Sequence, residues 1–518
     1  MAIFPGHIGP VMQPYVTLPE KQYLSKPGSG AAASLYVDGS WRAADDGGVR
    51  EVLNPSDASV LTLVSEAGPS DVAAAIAAAR AAFDGGRWRR VPAAERGEIL
   101  HRIAELLQRD RDEIALMESL DTGKTIEEGG IDVDDVTAVF RYYAGLADKD
   151  AGRVVSAPEG VFSRVVYEPV GVCAMITPWN YPLLQLAWKV APAIAAGGTM
   201  VIKPSEITPV TTAKLVELTT EAGVPAGVVN LVLGSGAVVG SAMVESPDVD
   251  LVSFTGGLVT GRQIMAAAAQ TVKKVALELG GKNPNIVFDD VDLDTAVDYA
   301  LSAAFFHSGQ VCSAGARLIV HESIHDEFTA ELARRAERIE VGCGQAEGIR
   351  CGALVSAEHR AKVEAAVARG VEEGARVIAG GRRPDDPELG DGYFYRPTVF
   401  VDCDRGMDVV QQEIFGPVVT VEKFRTEAEA IELGNDTDYG LSGAVWTNDT
   451  GRGERVAAAL RHGTVWINDF GPYIPGAEWG GFKRSGIGRE LGQAGLDEYR
   501  EAKHIYRNLD PAPQRWFG

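Results

Sequence analysis

The sequence of this 518-residue chain predicts an α/β fold. Alanine-rich segments between 71 and 147 place apolar residues at helical spacing. Beyond them, short apolar runs rich in Val and Ile alternate with longer helical stretches, first before and then after a Gly pair at 280–281. This alternation is typical of a parallel sheet covered by helices on both faces. The pattern therefore predicts two successive α/β units.

The expected elements follow in order along the chain. Repeated Pro and a run rich in Gly and Ser predict an extended arm over 1–34. Ordered structure is expected from 35–41, followed by the helices of 71–147. The strands expected next are 171–176, 199–203, 228–234 and 251–254 before the Gly pair, and 285–288, 316–320, 397–403, 418–424, 443–449 and 464–469 after it.

The charge and the cysteine content exclude several classes of function. The chain has 49 Lys and Arg against 72 Asp and Glu, a net charge of −23 that repels nucleic-acid phosphates and anionic membranes. No signal pattern opens the sequence, and no apolar stretch reaches the ~20 residues of a bilayer span. A soluble cytoplasmic protein is therefore expected. The cysteines are too scattered for a disulfide framework or a zinc knuckle and fit a reducing compartment: Cys173, Cys312, Cys343, Cys351 and Cys403.

The segment HESIH at 321–325 matches the H-E-x-x-H pattern of zinc metallopeptidases. In that pattern two His lie one helical turn apart and bind the metal. Here His321 ends an apolar strand, and Ser323 resembles the N-cap of a helix running to Arg338. The two imidazoles would then not share a helix face, so we expect surface histidines and no metal site.

Two glycine-containing turns follow predicted strands. GSGAVVG at 234–240 opens a helix, as a dinucleotide-binding fingerprint does, but its spacing is one residue too long. FTGG at 254–257 is a second place where backbone N–H groups could meet phosphate or ribose oxygens. Each turn alone is equally compatible with an ordinary strand-to-helix connection.

Several turns bear residues suited to chemistry. Cys312 lies among small residues in HSGQVCSAG, which leave space around its thiol, although a lone cysteine is more often an inert core residue. Glu278 precedes two glycines in LELGGK, where a carboxylate could deprotonate a thiol or a water. Asn180 in PWNYP offers an amide donor for an oxyanion. Charged groups also occur in KPSE (203–206) and EIFGP (413–417), where solvated turn polarity is the simplest explanation.

Taken together, the ordered motifs PWNYP, KPSE, FTG, LELGGK, GQVC, EIFGP and GFKRSGIGRELG resemble the NAD(P)-dependent aldehyde dehydrogenase superfamily, from about 35 to about 506. The resemblance implies that Cys312 attacks the aldehyde as a thiolate, and that Asn180 and the Cys312 N–H stabilise the oxyanion. Glu278 would then activate the water that hydrolyses the thioester, and Glu490 would relay its proton. Some members are structural proteins with little turnover, but retention of the Cys, Glu and Asn argues against that alternative.

The same resemblance implies the cofactor contacts. Lys203 and Glu206 match positions at the adenosine ribose, and Glu413 and Phe415 match positions at the nicotinamide ribose and ring. A carboxylate at 206 would repel a 2′-phosphate, which favours NAD over NADP. Further implied contacts are Ile176, Trp179, Gly236, Gly257 and Leu279.

The positions that match the family's substrate tunnel are aromatic: Tyr181, Trp188, Phe306, Tyr473 and Trp479. A box of rings suits a quaternary ammonium or amine head group, because each π-face attracts a cation. The chain thus resembles the betaine-aldehyde and aminoaldehyde branch, although Phe306 replaces a tryptophan of typical plant members. The alternative is a broad-specificity enzyme for aliphatic and aromatic aldehydes. A spacing of seven places Tyr181 and Trp188 on one face of a single helix.

The resemblance also implies the architecture. We expect a Rossmann-like NAD-binding domain over 35–147 and 170–280 and a catalytic α/β domain over 281–480. A small β oligomerisation element would combine 148–169 with 497–515, because 161–170 and 501–508 alternate like paired edge strands. Such elements join subunits by extending a sheet, so a homodimer or homotetramer is expected. The sequence leaves open a bound monovalent cation and the role of the arm.

Overall fold

The computed structural model describes most of the chain. The described residues are Leu18, Lys21, Gln22, Leu24 and the ranges 34–86, 88–149 and 152–518. The predicted arm over 1–34 therefore lies almost entirely outside the described residues. The described part is a mixed α/β structure, which confirms the predicted fold class.

Strands and helices alternate along most of the described chain. The strands are β1 (Leu35–Val37), β2 (Ser40–Arg42), β3 (Val49–Leu53), β4 (Val60–Ser65), β5 (Arg153–Val154), β6 (Val161–Pro169), β7 (Val172–Ile176), β8 (Thr199–Lys203), β9 (Val229–Leu231), β10 (Leu251–Gly256), β11 (Lys274–Leu279), β12 (Pro284–Val287), β13 (Arg317–His321), β14 (Arg376–Ala379), β15 (Thr398–Val401), β16 (Val418–Phe424), β17 (Ser442–Trp446), β18 (Thr464–Ile467), β19 (Gly486–Ile487) and β20 (Arg500–Asn508). The α-helices are α1 (Pro69–Asp84), α2 (Ala93–Arg109), α3 (Arg111–Thr122), α4 (Ile126–Leu146), α5 (Pro182–Ala196), α6 (Val210–Glu221), α7 (Ser241–Glu245), α8 (Leu258–Ala268), α9 (Leu293–Phe305), α10 (His325–Ala336), α11 (Ala357–Glu372), α12 (Asp408–Gln411), α13 (Glu427–Asn435), α14 (Thr450–Ala459) and α15 (Gly492–Glu498).

The first large sheet has eight strands in the order β19-β11-β10-β7-β8-β9-β1-β2. Its five central strands are parallel, and β7 and β8 are buried along their whole length because helices cover both faces. From β7 the chain proceeds to β8 and β9 on one side and to β10 and β11 on the other. The strand order therefore reverses between β7 and β10, the kind of position where open α/β sheets bind ligands.

The second large sheet has seven strands in the order β14-β15-β16-β13-β12-β17-β18. All neighbouring pairs are parallel except β14 with β15, which are antiparallel at one edge. The ten strands expected between 171 and 469 all occur, with ends shifted by at most three residues. The boundaries proposed for the domains stay predictions.

Two smaller sheets complete the structure. In the three-stranded sheet β20-β6-β5, β20 pairs antiparallel with β6 from Arg500↔Pro169 to Asn508↔Val161, which confirms the expected pairing of these segments. Strand β20 is exposed over most of its length. A separate hairpin joins β3 to β4. Among the described residues, no helix is both long and apolar enough to cross a membrane.

Three local predictions were wrong. The two histidines of HESIH are not both at the surface, because His325 lies on the buried face of α10. Helix α10 begins at His325 and ends at Ala336, and Ser323 is not its N-cap, because the hydroxyl of Ser323 lies 2.8 Å from Nδ1 of His321. Tyr181 does not lie inside a helix with Trp188, because α5 begins at Pro182 and Tyr181 is its N-cap residue. In the described part of the chain, no three His, Cys, Asp or Glu side chains are grouped to hold a metal ion.

Candidate active site

The carboxyl ends of the parallel strands leave open space for a ligand. Lys203 ends β8, and Gly236 and Gly257 begin the helical turns that follow β9 and β10. Apart from the adjoining residues of the same turn, no atom lies within 4 Å of the place where a Cβ would stand at either glycine. The backbone at both turns can therefore be approached closely, as a dinucleotide requires.

Charged side chains border this space. The Nζ of Lys203 donates to Oε2 of Glu206 at 3.3 Å. On the other side, Arg50 forms a bidentate pair with Glu66 at 2.5 and 2.6 Å, and Glu66 accepts from the backbone N–H of Ser235 at 3.1 Å. The sequence did not reveal Arg50 and Glu66, because β3 and β4 bring them to the glycine turn from a distant segment.

Glu413 occupies a groove that only glycine permits. Its Oε1 accepts from the backbone N–H of Gly281 at 3.0 Å, and a Cβ on Gly280 would collide with the carboxylate. Burial raises the pKa of Glu413 to about 7, against the lowering effects of the Gly281 N–H and the charge of Lys282. The two glycines of LELGGK thus serve to seat this carboxylate.

Two of the expected cofactor contacts touch each other. The rings of Trp179 and Phe415 meet edge to face with centroids 5.2 Å apart. Phe415 has a left-handed backbone, with φ of +61°. Nε2 of His359 donates to the carbonyl of Phe415 at 2.7 Å and its ring packs on Trp179 at 4.8 Å, so His359 supports both residues. Ile176 and Leu279 are buried at the ends of β7 and β11.

Cys312 lies in the turn that precedes β13. Nδ2 of Asn283 donates to the carbonyls of Cys312 and Ala314 at 2.9 and 3.0 Å, while its Oδ1 accepts from Ser442 N–H at 3.1 Å. Asn283 therefore fixes the backbone on both sides of the thiol. A pocket beside this turn is lined by Gly281, Lys282, Gly309, Val311, Ala314, Ala316, Glu413, Ile414, Phe415, Gly416 and Val418.

The thiol of Cys312 is uncharged in this environment. Burial raises its pKa well above the usual value, and the nearby carboxylates Glu278 and Glu413 raise it further. The backbone N–H groups of Ser313 and Cys312 act in the opposite direction. Formation of the nucleophilic thiolate thus requires a base that accepts the proton or a positive charge nearby.

The Asn180 side chain points toward the Cys312 turn. It is buried, and its Nδ2 donates to the carbonyl of Gln310 at 2.8 Å. An amide nitrogen has two N–H donors, and one of them is engaged with Gln310. The second can serve an oxyanion that forms on a carbon bound to the Cys312 sulfur.

Glu278 is joined to the aromatic positions through Trp479. The indole Nε1 of Trp479 donates to Oε1 of Glu278 at 2.9 Å. Burial raises the pKa of Glu278 to about 8, the Trp479 bond lowers it, and the charge of Glu490 raises it. Glu490 itself forms a buried ion pair with Lys189 and pairs its backbone with that of Trp479. Trp479 therefore contacts both residues: its indole binds Glu278, and its backbone pairs with that of Glu490.

Three of the five predicted substrate residues form one cluster. Trp188 meets Tyr473 and Trp479 with ring centroids 5.1 and 5.8 Å away, and the last two lie 6.4 Å apart. Tyr181 instead packs on His307 at 5.3 Å, with the Lys124 Nζ 4.3 Å from its ring centroid. Phe306 is the C-cap residue directly after α9 and is 37% exposed.

Two carboxylates act on Tyr473 of this aromatic cluster. The pKa of Tyr473 is raised well above its usual value by burial and then by the charges of Asp135 and Asp132. Burial likewise raises the pKa of Asp135, and the nearby hydroxyl of Tyr473 lowers it. The sequence did not identify these acids, because a charge on an amphipathic helix is usually solvated.

Comparison with known proteins agrees with this geometry. The family model described as the aldehyde dehydrogenase family matches residues 41–505. A betaine aldehyde dehydrogenase of Bacillus subtilis (strain 168) is 59% identical over 485 residues, covering 93% of this chain and 99% of that protein. Aminoaldehyde dehydrogenase 1, peroxisomal, of Pisum sativum is 44% identical over 494 residues, covering 94% and 98%.

A solved structure shows the same fold. The crystal structure of a betaine aldehyde dehydrogenase from Staphylococcus aureus in complex with NAD+ superimposes with a TM-score of 0.92 at 51% sequence identity. The match covers 93% of this chain and 96% of that one. The chain belongs to the aldehyde dehydrogenase family.

Proposed function

We propose that this protein oxidises betaine aldehyde, or a closely related aminoaldehyde, to its carboxylic acid with NAD as the hydride acceptor. The observation that carries the proposal is the aromatic cluster of Trp188, Tyr473 and Trp479 in hydrogen-bonded contact with Glu278. The names of the bacterial relatives support the same substrate, and the bound NAD+ of the Staphylococcus aureus structure supports the cofactor.

In the first half of the reaction the Cys312 thiol first loses its proton to solvent. The thiolate sulfur then bonds to the aldehyde carbon, and the carbonyl oxygen becomes an oxyanion. The free N–H of Asn180 and the backbone N–H of Cys312 donate to that oxygen, contacts whose loss costs about 3 kcal/mol each. Bound NAD would supply the acceptor for the hydride that leaves the thiohemiacetal carbon. The product of this step is a thioester on Cys312.

In the second half Glu278 removes a proton from the water that attacks the thioester carbon. The C–S bond then breaks. The carboxylic acid is released, and the sulfur remains on Cys312 as a thiolate. We assign Glu490 to the onward transfer of the proton, because its charge acts on Glu278 and its carboxylate is ion-paired with Lys189. The raised pKa of Glu278 suits a base that must be regenerated in every turnover.

For the cofactor, the residues that would hold NAD follow the open carboxyl edge of the first sheet. Lys203 and Glu206 would bind the adenosine ribose, and the turns at Gly236 and Gly257 would face the phosphates. Glu413 and Phe415 would orient the nicotinamide half, with Ile176, Trp179 and Leu279 packed around it. Glu206 favours NAD, because a carboxylate accepts hydrogen bonds from ribose hydroxyls and repels a 2′-phosphate.

The seating of Glu413 provides a test of the cofactor site. Gly280→Ala places a methyl group against the Glu413 carboxylate, so the carboxylate must move away from the Gly281 N–H. The displaced carboxylate would no longer bind the nicotinamide half of NAD. A hydrogen bond to a charged group is worth about 1.5–3 kcal/mol, so we expect the KM for NAD to rise at least about tenfold. Gly145→Ala, on a helix position with open space around it, is the control. Equal KM values for both variants would contradict the assignment of Glu413.

For the substrate, the cluster can surround a cationic head group. Each π-face attracts a cation by about 0.5–2 kcal/mol, and the carboxylate of Asp135 adds a favourable charge nearby. A neutral aldehyde gains only the apolar contact. The alternative, a broad-specificity aldehyde dehydrogenase, predicts similar kcat/KM for cationic and neutral aldehydes of one shape.

Trp188 offers the sharpest test of this selectivity. Trp188→Leu keeps an apolar side chain but removes a π-face, whereas Trp188→Phe keeps a π-face. With Trp188→Leu we expect the KM for betaine aldehyde to rise about 3- to 30-fold and the KM for 3,3-dimethylbutanal, its uncharged isostere, to change by less than about 3-fold. Trp188→Phe should lie close to the wild type for both.

Steady-state kinetics with NAD and with NADP measure these values. If KM rose equally for the two aldehydes in Trp188→Leu, the result would favour the alternative of a broad-specificity aldehyde dehydrogenase with an apolar pocket. Higher kcat/KM with NADP would contradict the role given to Glu206.

The remaining proposals concern assembly and location. We assign self-association as a homodimer or homotetramer to the sheet formed by β5, β6 and β20, whose outer strand β20 is exposed. The cysteines are free, which supports a reducing cytoplasmic compartment. A monovalent cation stays a prediction.

A further inference from the structure

The turn that leads into the nucleophile has an unusual backbone. His307, Ser308 and Gly309 all lie in the left-handed region, with φ of +48°, +55° and +70°. Left-handed conformations are unfavourable for residues with a Cβ, and two such residues in succession need support from their surroundings. Gln310 follows this turn directly, and its carbonyl accepts from the Asn180 side chain, so the conformation of the turn bears on where that side chain lies.

Three contacts hold the turn in place. A Cβ on Gly309 would collide with the carbonyl of Gly416, so the backbone passes too close for any other residue. The hydroxyl of Ser308 donates to the carbonyl of Gly352 at 2.9 Å. The backbone N–H of His307 donates to Oε1 of Glu128 at 2.6 Å.

Glu128 is anchored on its other side. Its Oε2 accepts from the backbone N–H of Thr125 at 2.7 Å, while the Thr125 hydroxyl accepts from the Glu128 N–H at 3.2 Å. This reciprocal pair caps the N-terminus of α4. One buried carboxylate therefore ties the start of a long helix to the strained turn.

The His307 ring carries the connection to the oxyanion donor. Burial lowers the pKa of His307 well below its usual value, so the ring is neutral, and its Nε2–H donates to the backbone carbonyl of Asn180 at 2.9 Å. In the other direction, Nδ2 of Asn180 donates to the carbonyl of Gln310. The Gln310 N–H in turn donates to the His307 carbonyl at 3.0 Å. The two segments that bear Asn180 and Cys312 are thus linked in both directions.

We propose that Glu128 and His307 are positioning residues for aldehyde oxidation. Glu128 holds the left-handed turn through the His307 N–H, and the His307 ring holds Asn180 so that its second amide N–H faces the oxyanion. Neither residue touches the reacting atoms. The inference rests on the aldehyde oxidation of the proposed function and not on its selectivity for cations.

Glu128→Gln tests the proposal, with Glu127→Gln as the matched control. Glu127 is the preceding residue of α4 and pairs with Arg350 at the exposed surface. In Glu128→Gln one carboxylate oxygen becomes an N–H donor, which cannot accept from both backbone N–H groups. We expect kcat to fall about 10- to 100-fold, the loss typical of a small misplacement of catalytic groups. The Kd for NAD should stay close to the wild type, and the Tm should fall by only a few degrees, because one buried N–H loses its acceptor. Glu127→Gln should match the wild type throughout.

A double-mutant cycle with Asn180→Ala separates positioning from a general structural effect. If Glu128 acts through Asn180, Glu128→Gln should reduce kcat by less than about 3-fold in the Asn180→Ala background. Losses that multiply, or an unchanged kcat in Glu128→Gln alone, would overturn the proposal. If Glu128→Gln does not fold, His307→Asn enters the same cycle, because Asn tolerates the left-handed backbone but is too short to replace the ring donor.

The cycle uses both betaine aldehyde and 3,3-dimethylbutanal. A wild-type protein that oxidises the two equally contradicts only the cation selectivity, and the cycle can still be read. A wild-type protein that oxidises neither overturns the proposed function and this inference together.

Discussion

Cys312→Ala is expected to abolish aldehyde oxidation, with kcat lower by about 10⁴-fold or more, because the covalent route has no other nucleophile at this position. The fold should persist. The side chain is small, and the contacts that hold the turn come from Asn283 to main-chain carbonyls, which the substitution leaves in place. NADH formation under steady-state conditions measures the loss, and fluorescence titration checks that NAD still binds.

The matched control for this variant is another half-buried cysteine. Cys343 donates to Oε1 of Gln345 at 2.9 Å in a loop away from the pocket, so Cys343→Ala should keep wild-type kcat. Undiminished turnover in Cys312→Ala would refute the mechanism, and comparable losses in both variants would point to a general effect of cysteine removal.

Glu278→Gln is expected to separate the two halves of the reaction. The amide cannot accept a proton from water, so hydrolysis of the thioester should slow by about 10³-fold, within the range of general-base effects. The thioester still forms, and stopped-flow absorbance should show a burst of about one NADH per active site followed by a very slow phase. Loss of the burst itself would assign Glu278 to the activation of Cys312 instead.

The pH dependence follows from the same residue. Burial raises the pKa of Glu278 to about 8, and only the carboxylate form can act as the base. The kcat of the wild type should therefore rise as the pH increases through about 8, and Glu278→Gln should lack this rise. Trp479→Phe removes the indole donor that lowers this pKa, so its rise should lie at higher pH. If kcat rose at the same pH in the wild type and in Trp479→Phe, the rise could not be assigned to Glu278.

The sequence predicted the large sheets well, because buried parallel strands produce apolar runs that local composition reveals. The ends of individual helices were predicted less well. Ser323 has the residue type of an N-cap, yet its hydroxyl bonds with His321, and the helix begins two residues later. The hairpin of β3 and β4 was not predicted. Strand β3 is mostly exposed, and the apolar run of β4, VLTLV, lies outside the regular alternation of strands and helices.

Motif recognition identified the residues proposed to react but not those that hold them. His307, Asn283 and His359 each work through a backbone carbonyl of a residue distant in sequence. A hydrogen bond to a main-chain atom leaves no signature in the residue type of its partner. Glu128 is harder still, because in the sequence it is one acid among several at the start of an amphipathic helix.

Trp479 has an evolutionary consequence. One face of its indole belongs to the cluster that would choose the substrate, while its N–H is bound to the proposed base. A substitution at this position changes both properties in a single step. New specificities are therefore more accessible through Trp188 or Tyr473, whose rings can diverge while Glu278 keeps its donor, and position 479 should be among the last of the cluster to vary.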